Sequence, residues 1–163
     1  MAMYPTFLFA LREDLELAGE TRFLPTQADP EATGYDVRAA QNITIKPGEY
    51  FKIPLGFRCF CPPEWYYQLH PRSSSFTKKS MHNLVGIVDE LWEGETLFAG
   101  QYILDKCSMG KDLVIEFGTP IGQIIPMRRE IVQMKLGTNK ELDELFKKRN
   151  GIRGTGGFGS TGG

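Results

Sequence analysis

The sequence predicts a mainly β fold of sandwich or barrel type, followed by one short helix and a glycine-rich C-terminal arm. Three observations predict it. Short runs rich in β-branched and aromatic residues recur between turn signals across residues 42–127. A single stretch with helical spacing follows at 138–149. Beyond it, RGTGGFGSTGG (Arg153 to Gly163) sets six glycines around one arginine and one phenylalanine, a composition unable to hold its own shape.

The expected strands are Asn42 to Lys46, Glu49 to Ile53, Gly56 to Cys61, Trp65 to His70, Leu84 to Val88, Asp112 to Phe117 and Ile121 to Met127. Pro47-Gly48 reads as a tight hairpin joining the first two, because proline presets φ at the first central turn position and glycine tolerates the second. Pro62-Pro63 interrupts the chain before Trp65. The helix over Thr138 to Arg149 places Leu142, Leu145 and Phe146 on one stripe, with Thr138 and Glu141 as a capping box and Gly151 past the end. Its basic end, Lys147, Lys148 and Arg149, suits the helix dipole. The expected organisation is a single β domain over 1–150 and an arm over 151–163.

With 163 residues, 41% hydrophobic content and a net charge of −1, the chain can bury one real core. Near-neutral charge offers no clustered basic excess, so no nucleic-acid or membrane partner is expected, and any phosphate chemistry must be local. Of three cysteines, Cys59 and Cys61 alternate on an expected strand without C-x-x-C spacing, which favours reduced, packed thiols. The first residues lack the basic start and long apolar core of a signal peptide, and no run approaches membrane-spanning length; a cytoplasmic protein is expected. Gly154-x-Gly156-x-x-Gly159 formally matches a dinucleotide fingerprint, but no helix or acidic residue follows it in this sequence.

Four segments place polar, charged or small residues at strand ends or turns: TGYDVRAA (33–40), HPRSSSF (70–76), NLVGIVDELWEGE (83–95) and GTPIGQIIP (118–126). Arg72 with Ser73 and Ser74 is either a phosphate cradle or a capped loop with a surface arginine. Asp89, after an apolar strand, either orients a water or is a turn aspartate. Asp36, in the tight GYD turn, is structural or near a metal; Gln123 is an outward strand residue or a ligand contact. Trp92 is a ligand-facing aromatic or a core residue.

Together with the arm, and in this order, these segments resemble the five motifs of the trimeric dUTPase family over about residues 33–162. PRSS, NLVGIVD and RGTGGFGSTG carry the resemblance most specifically. It implies a distorted β-barrel of jelly-roll type that hydrolyses dUTP to dUMP and pyrophosphate with Mg²⁺. It implies that Arg72, Ser73 and Ser74 contact the phosphates and that Asp89 activates the attacking water. Asn83 and backbone groups at Gly86 and Val88 would meet the uracil edge, and Gln123 the phosphate and water. Asp36 would hold Mg²⁺ through water or position the phosphates. Trp92 stands where the family carries a tyrosine under the sugar, and Pro120 where it carries an arginine. In the arm, Arg153 would reach the γ-phosphate, Phe158 stack on uracil, and Gly159, Ser160 and Thr161 close on the phosphates. Family members are homotrimers whose sites combine residues from different subunits. DELWEG also resembles a turn of the dCTP deaminases, so a dCTP deaminase or bifunctional enzyme is a second expectation, although its catalytic glutamate would fall near Ala99, with Glu95 nearby. A non-catalytic nucleotide sensor on the same scaffold is a third.

Overall fold

The computed structural model describes residues 4–103 and 110–149. The chain divides into two compact units, residues 1–130 and 131–163.

In chain order, the first unit contains β1 (Leu8–Leu11), α1 (Glu13–Leu17), β2 (Thr26–Gln27), β3 (Tyr35–Arg38), β4 (Ile43–Ile45), β5 (Tyr50–Pro54), β6 (Phe57–Phe60) and β7 (Trp65–Pro71). After these come α2 (Ser73–Thr77), β8 (Met81–Asn83), β9 (Gly86–Val88), β10 (Leu97–Tyr102), β11 (Leu113–Ile115) and β12 (Pro120–Arg128). All the pairings are antiparallel: β1 with β6, β11 with β4, the order β5-β10-β8, and a five-stranded sheet β2-β3-β12-β7-β9. The protein is mainly β, as expected.

Alternation explains the burial. Phe51 and Ile53 are buried on β5 while Tyr50 and Lys52 are exposed, and on β6 Phe57 and Cys59 are buried while Arg58 and Phe60 are exposed. These side chains join Leu55, Tyr67, Leu69, Phe98, Ile121 and Ile124 in one core, each large member worth about 1.5–3 kcal/mol relative to exposure. The buried Tyr67 hydroxyl meets Thr96 Oγ1 at 2.6 Å, as a phenol in a core requires. Cys59 and Cys61 are buried free thiols, and burial pushes both thiol pKa values up, so they stay protonated.

Four sequence expectations are corrected. The Pro47-Gly48 turn is present, with Gly48 at φ 81° and Glu49 N–H donating to Lys46 O at 3.0 Å, but it makes no hairpin. β4 leaves the turn to pair with β11, and β5 leaves it to pair with β10. Asp36 lies within β3, not in a turn, because its backbone is held by β12 on one side and β2 on the other. The expected strand Leu84 to Val88 begins only at Gly86: Leu84 N–H donates to Ala99 O, and the chain crosses there from the β10 ladder to that of β7. The expectation of a single helix also missed the five-residue α1 and α2.

The second unit carries α3 (Asn139–Lys148), within the expected bounds and with the expected capping box. Glu141 N–H donates to Thr138 Oγ1 at 3.2 Å, and Glu141 Oε2 accepts from Thr138 N–H at 2.6 Å. No residue of this helix is buried. Gly151 and Cys107 lie outside the described residues, and no described helix is long and apolar enough to cross a membrane.

Candidate functional site

The five-stranded sheet brings three of the candidates together. Directly paired residues of neighbouring strands share a face, and side chains two apart along a strand return to it. Asp36 pairs with Gln123, and Gln123 with His70, so these three share one face, with Arg72 two residues beyond His70. Tyr67, Leu69, Val37 and Ile124 point to the opposite face and are buried there. One face of the sheet therefore packs the core while the other carries polar chemistry.

Arg72 Nη1 stands 3.4 Å from Asp36 Oδ2, with the two side chains 34% and 20% exposed, so the guanidinium is paired yet still accessible. Gln123 Nε2 donates to Pro71 O at 3.2 Å. His70 Nε2 and Gln68 Oε1 are 2.8 Å apart. After Arg72 the chain turns into α2, where Ser73 is exposed, Ser74 half-buried and Ser75 buried. The Ser75 hydroxyl donates to Ile121 O at 2.7 Å and ties the serine run to β12. A cation, a carboxylate, an amide and two small hydroxyl residues thus gather from three distant segments, an arrangement suited to binding a phosphate chain.

Asn83 lies elsewhere, opposite Gly100 on β10, and lines an open groove of about 770 Å³ with Leu84, Val85, Ala99 and Tyr50. Its Nδ2 donates to Met81 O at 3.3 Å, which orients the amide because a carbonyl only accepts. Its Oδ1 is a buried acceptor with no partner among the described residues. Such an orphan normally requires an explanation.

Gly86 and Val88 lie on the edge strand β9, paired with Leu69 and Tyr67. Asp89 is exposed just past its end. Because Val88 pairs with Tyr67, Asp89 stands level with Tyr66, on the order of 20 Å along β7 from Arg72. One chain does not bring Asp89 to the Asp36–Arg72–Gln123 group. Trp92 closes the turn after Asp89, its N–H donating to Asp89 O at 3.0 Å. Its half-exposed indole lies over Gly94, where a Cβ would come within 2.9 Å of Cε2, and faces a cleft lined by Leu8, Ala10 and Phe60. Arg153, Phe158, Gly159, Ser160 and Thr161 lie outside the described residues.

Glu95 is committed to another contact. Its Oε1 accepts from Gly56 N–H at 3.0 Å and pairs with Arg12 Nη1 at 3.1 Å, while Ala99 lies in the middle of β10. A carboxylate engaged in this way is poorly placed to shuttle protons. Sequence reasoning passed over Gly34, the Pro71 carbonyl and Ser75, all next to residues it singled out; the third serine of SSS was the visible signal.

The fold and its polar sheet face place the chain in a class of mainly β proteins already represented among solved structures. The crystal structure of dUTPase from Streptococcus mutans matches with a TM-score of 0.67 at 23% identity, over 77% of this chain and 98% of that one. The Staphylococcus bacteriophage 80alpha dUTPase with dUPNHPP matches with a TM-score of 0.76 at 18% identity, over 97% and 99%. In sequence, the deoxyuridine 5'-triphosphate nucleotidohydrolase of Rickettsia bellii (strain OSU 85-389) is 36% identical, covering 85% of this chain and 87% of its own length. The protein of the same name from Bartonella bacilliformis is 33% identical, covering 88% and 85%. The dUTPase family model matches residues 21–162, and the chain belongs to that family.

Proposed function

We propose that this chain hydrolyses dUTP to dUMP and pyrophosphate, limiting uracil incorporation into DNA and supplying dUMP for thymidylate synthesis in the cytoplasm. The observation that carries this reading is the gathering of Asp36, Arg72 and Gln123 on one sheet face. The relatives named deoxyuridine 5'-triphosphate nucleotidohydrolase support the substrate.

Arg72, with Ser73 and Ser74, binds the phosphate chain, and charge-assisted bonds from its guanidinium orient it. Asp89 accepts a proton from the water attacking the α-phosphorus, and Gln123 orients that water. The orphaned Asn83 Oδ1 suits the N3–H donor of uracil, and backbone groups of Gly86 and Val88 meet the rest of the base edge. Cytosine has an acceptor at that position and would leave the amide unpaired. Trp92 packs against the deoxyribose.

Among the described residues no three His, Cys, Asp or Glu side chains cluster, and Asp36 already directs one oxygen at Arg72. This donor set fits Mg²⁺ held mainly by phosphate oxygens and water, with Asp36 contributing through water. When bound, Mg²⁺ supplies neutralisation of charge on the leaving pyrophosphate.

The span of roughly 20 Å along β7 between Asp89 and Arg72 supports a homotrimer in which one subunit presents Asp89 to the phosphate-binding face of another. The arm, residues 151–163, closes over the nucleotide through Arg153, Phe158, Gly159, Ser160 and Thr161. The test is a panel of dUTP, dCTP, UTP and dTTP, reading pyrophosphate and ammonia separately. Pyrophosphate from dUTP with little from the others is expected. Ammonia release from dCTP, or no pyrophosphate from dUTP, would overturn the reading.

A further inference from the structure

Gly34 leads into β3 with φ outside the left-handed region, so its backbone does not require glycine. The space around it does. A Cβ on residue 34 would lie 3.2 Å from the Gln123 Cβ, 2.8 Å from its Cδ and closer still to Oε1. Gln123 pairs directly with Asp36, which puts Gly34 at the diagonal position of the ladder, within reach of a long side chain. The glutamine therefore crosses the bare Cα of Gly34.

The Pro71 carbonyl fixes the other end of the side chain. It can only accept, so it takes the Nε2 donor and leaves Oε1 as the free acceptor, with no hydrogen-bond partner among the described residues. We propose that Gly34 is a positioning residue for Gln123: the missing side chain admits the one arrangement in which Nε2 is held by Pro71 and Oε1 is presented to the attacking water. This inference rests on the hydrolytic reading of the site. It assigns Gly34 a role through another side chain, since glycine has no side chain of its own with which to touch substrate.

The test is a double-mutant cycle of Gly34→Ala and Gln123→Ala in the full-length chain, read by dUTP kinetics and by thermal unfolding. Gly34→Ala is expected to lower kcat by about 10²-fold, the scale of a displacement of about 1 Å, with KM little changed. In the Gln123→Ala background, the same change should lower kcat no further. Its effect on the unfolding midpoint should also shrink there, because the colliding amide is gone. Wild-type kcat in Gly34→Ala would overturn the proposal, as would equal losses in both backgrounds or failure of Gly34→Ala to fold in either one. If the wild-type chain releases no pyrophosphate from dUTP, the functional reading fails instead, and the unfolding cycle still decides whether Gly34 makes room for Gln123.

Discussion

The five-stranded sheet and the segment 131–149 place their side chains in opposite ways. In the sheet, Asp36, Arg72 and Gln123 come from distant parts of the chain and meet because ladder register puts them on one face. In 131–149, Thr138 and Glu141 meet because they stand three positions apart at the start of a helix, and no α3 side chain is buried. The sheet is held by non-local packing, and α3 within its own unit by local bonds. A substitution in the sheet should therefore be felt at a distance, and one in the helix should stay where it is made.

The largest expected effect tests whether the sheet's edge carries chemistry. Asp89→Asn should lower dUTP turnover by about 10²–10⁴-fold with the unfolding midpoint little changed, since this carboxylate is exposed. Steady-state pyrophosphate release and a thermal melt check both halves. Next, Ile53→Ala in the core should cost about 2–5 kcal/mol, read by denaturant unfolding. Smaller still, Tyr67→Phe should cost about 1–3 kcal/mol by leaving the buried Thr96 hydroxyl unpaired.

The smallest effects belong to the helix. Thr138→Ala should speed amide exchange in the first turn of α3 while leaving exchange in β7 and β12 unchanged; loss of protection in the sheet would break the contrast. The Glu141 carboxylate is held below its ordinary value of 4.5, mainly by the Thr138 backbone N–H and then by its hydroxyl. Folding thus favours the charged form, and its contribution is present above that ordinary value. It is lost as pH falls through the lower folded-state pKa, so first-turn protection should decline in acid.

How much was legible from sequence follows from the same contrast. α3 was readable to within a residue or two because spacing, cap and basic end are all local. Strands with clean alternation, such as β5 and β6, were readable too. β3 was missed because YDVR carries two charges beside a glycine and reads as a turn, whereas its pairing with β12 decides. β10 was missed because Gly100 interrupts LFAGQY; a Cβ there would lie 2.6 Å from Phe51 Cζ and 2.7 Å from His82 O, so close strand packing accounts for it. At the site, residue types were visible, but the span between Asp89 and Arg72 depends on register, and the room beside Gln123 on a side chain that is absent.

The Pro47-Gly48 turn has a kinetic consequence. A local reversal would ordinarily give the chain an early, cheap hairpin from which to grow. Here the turn closes quickly but returns no ladder: Ile45 must wait for Leu113, and Lys52 for Ala99. Much of the loop-closure entropy is spent before strand pairing repays it, which places folding in the slow, milliseconds-to-seconds regime typical of non-local β topologies. During that interval the apolar faces of β4 and β5 are uncovered, and refolding yield should fall as protein concentration rises.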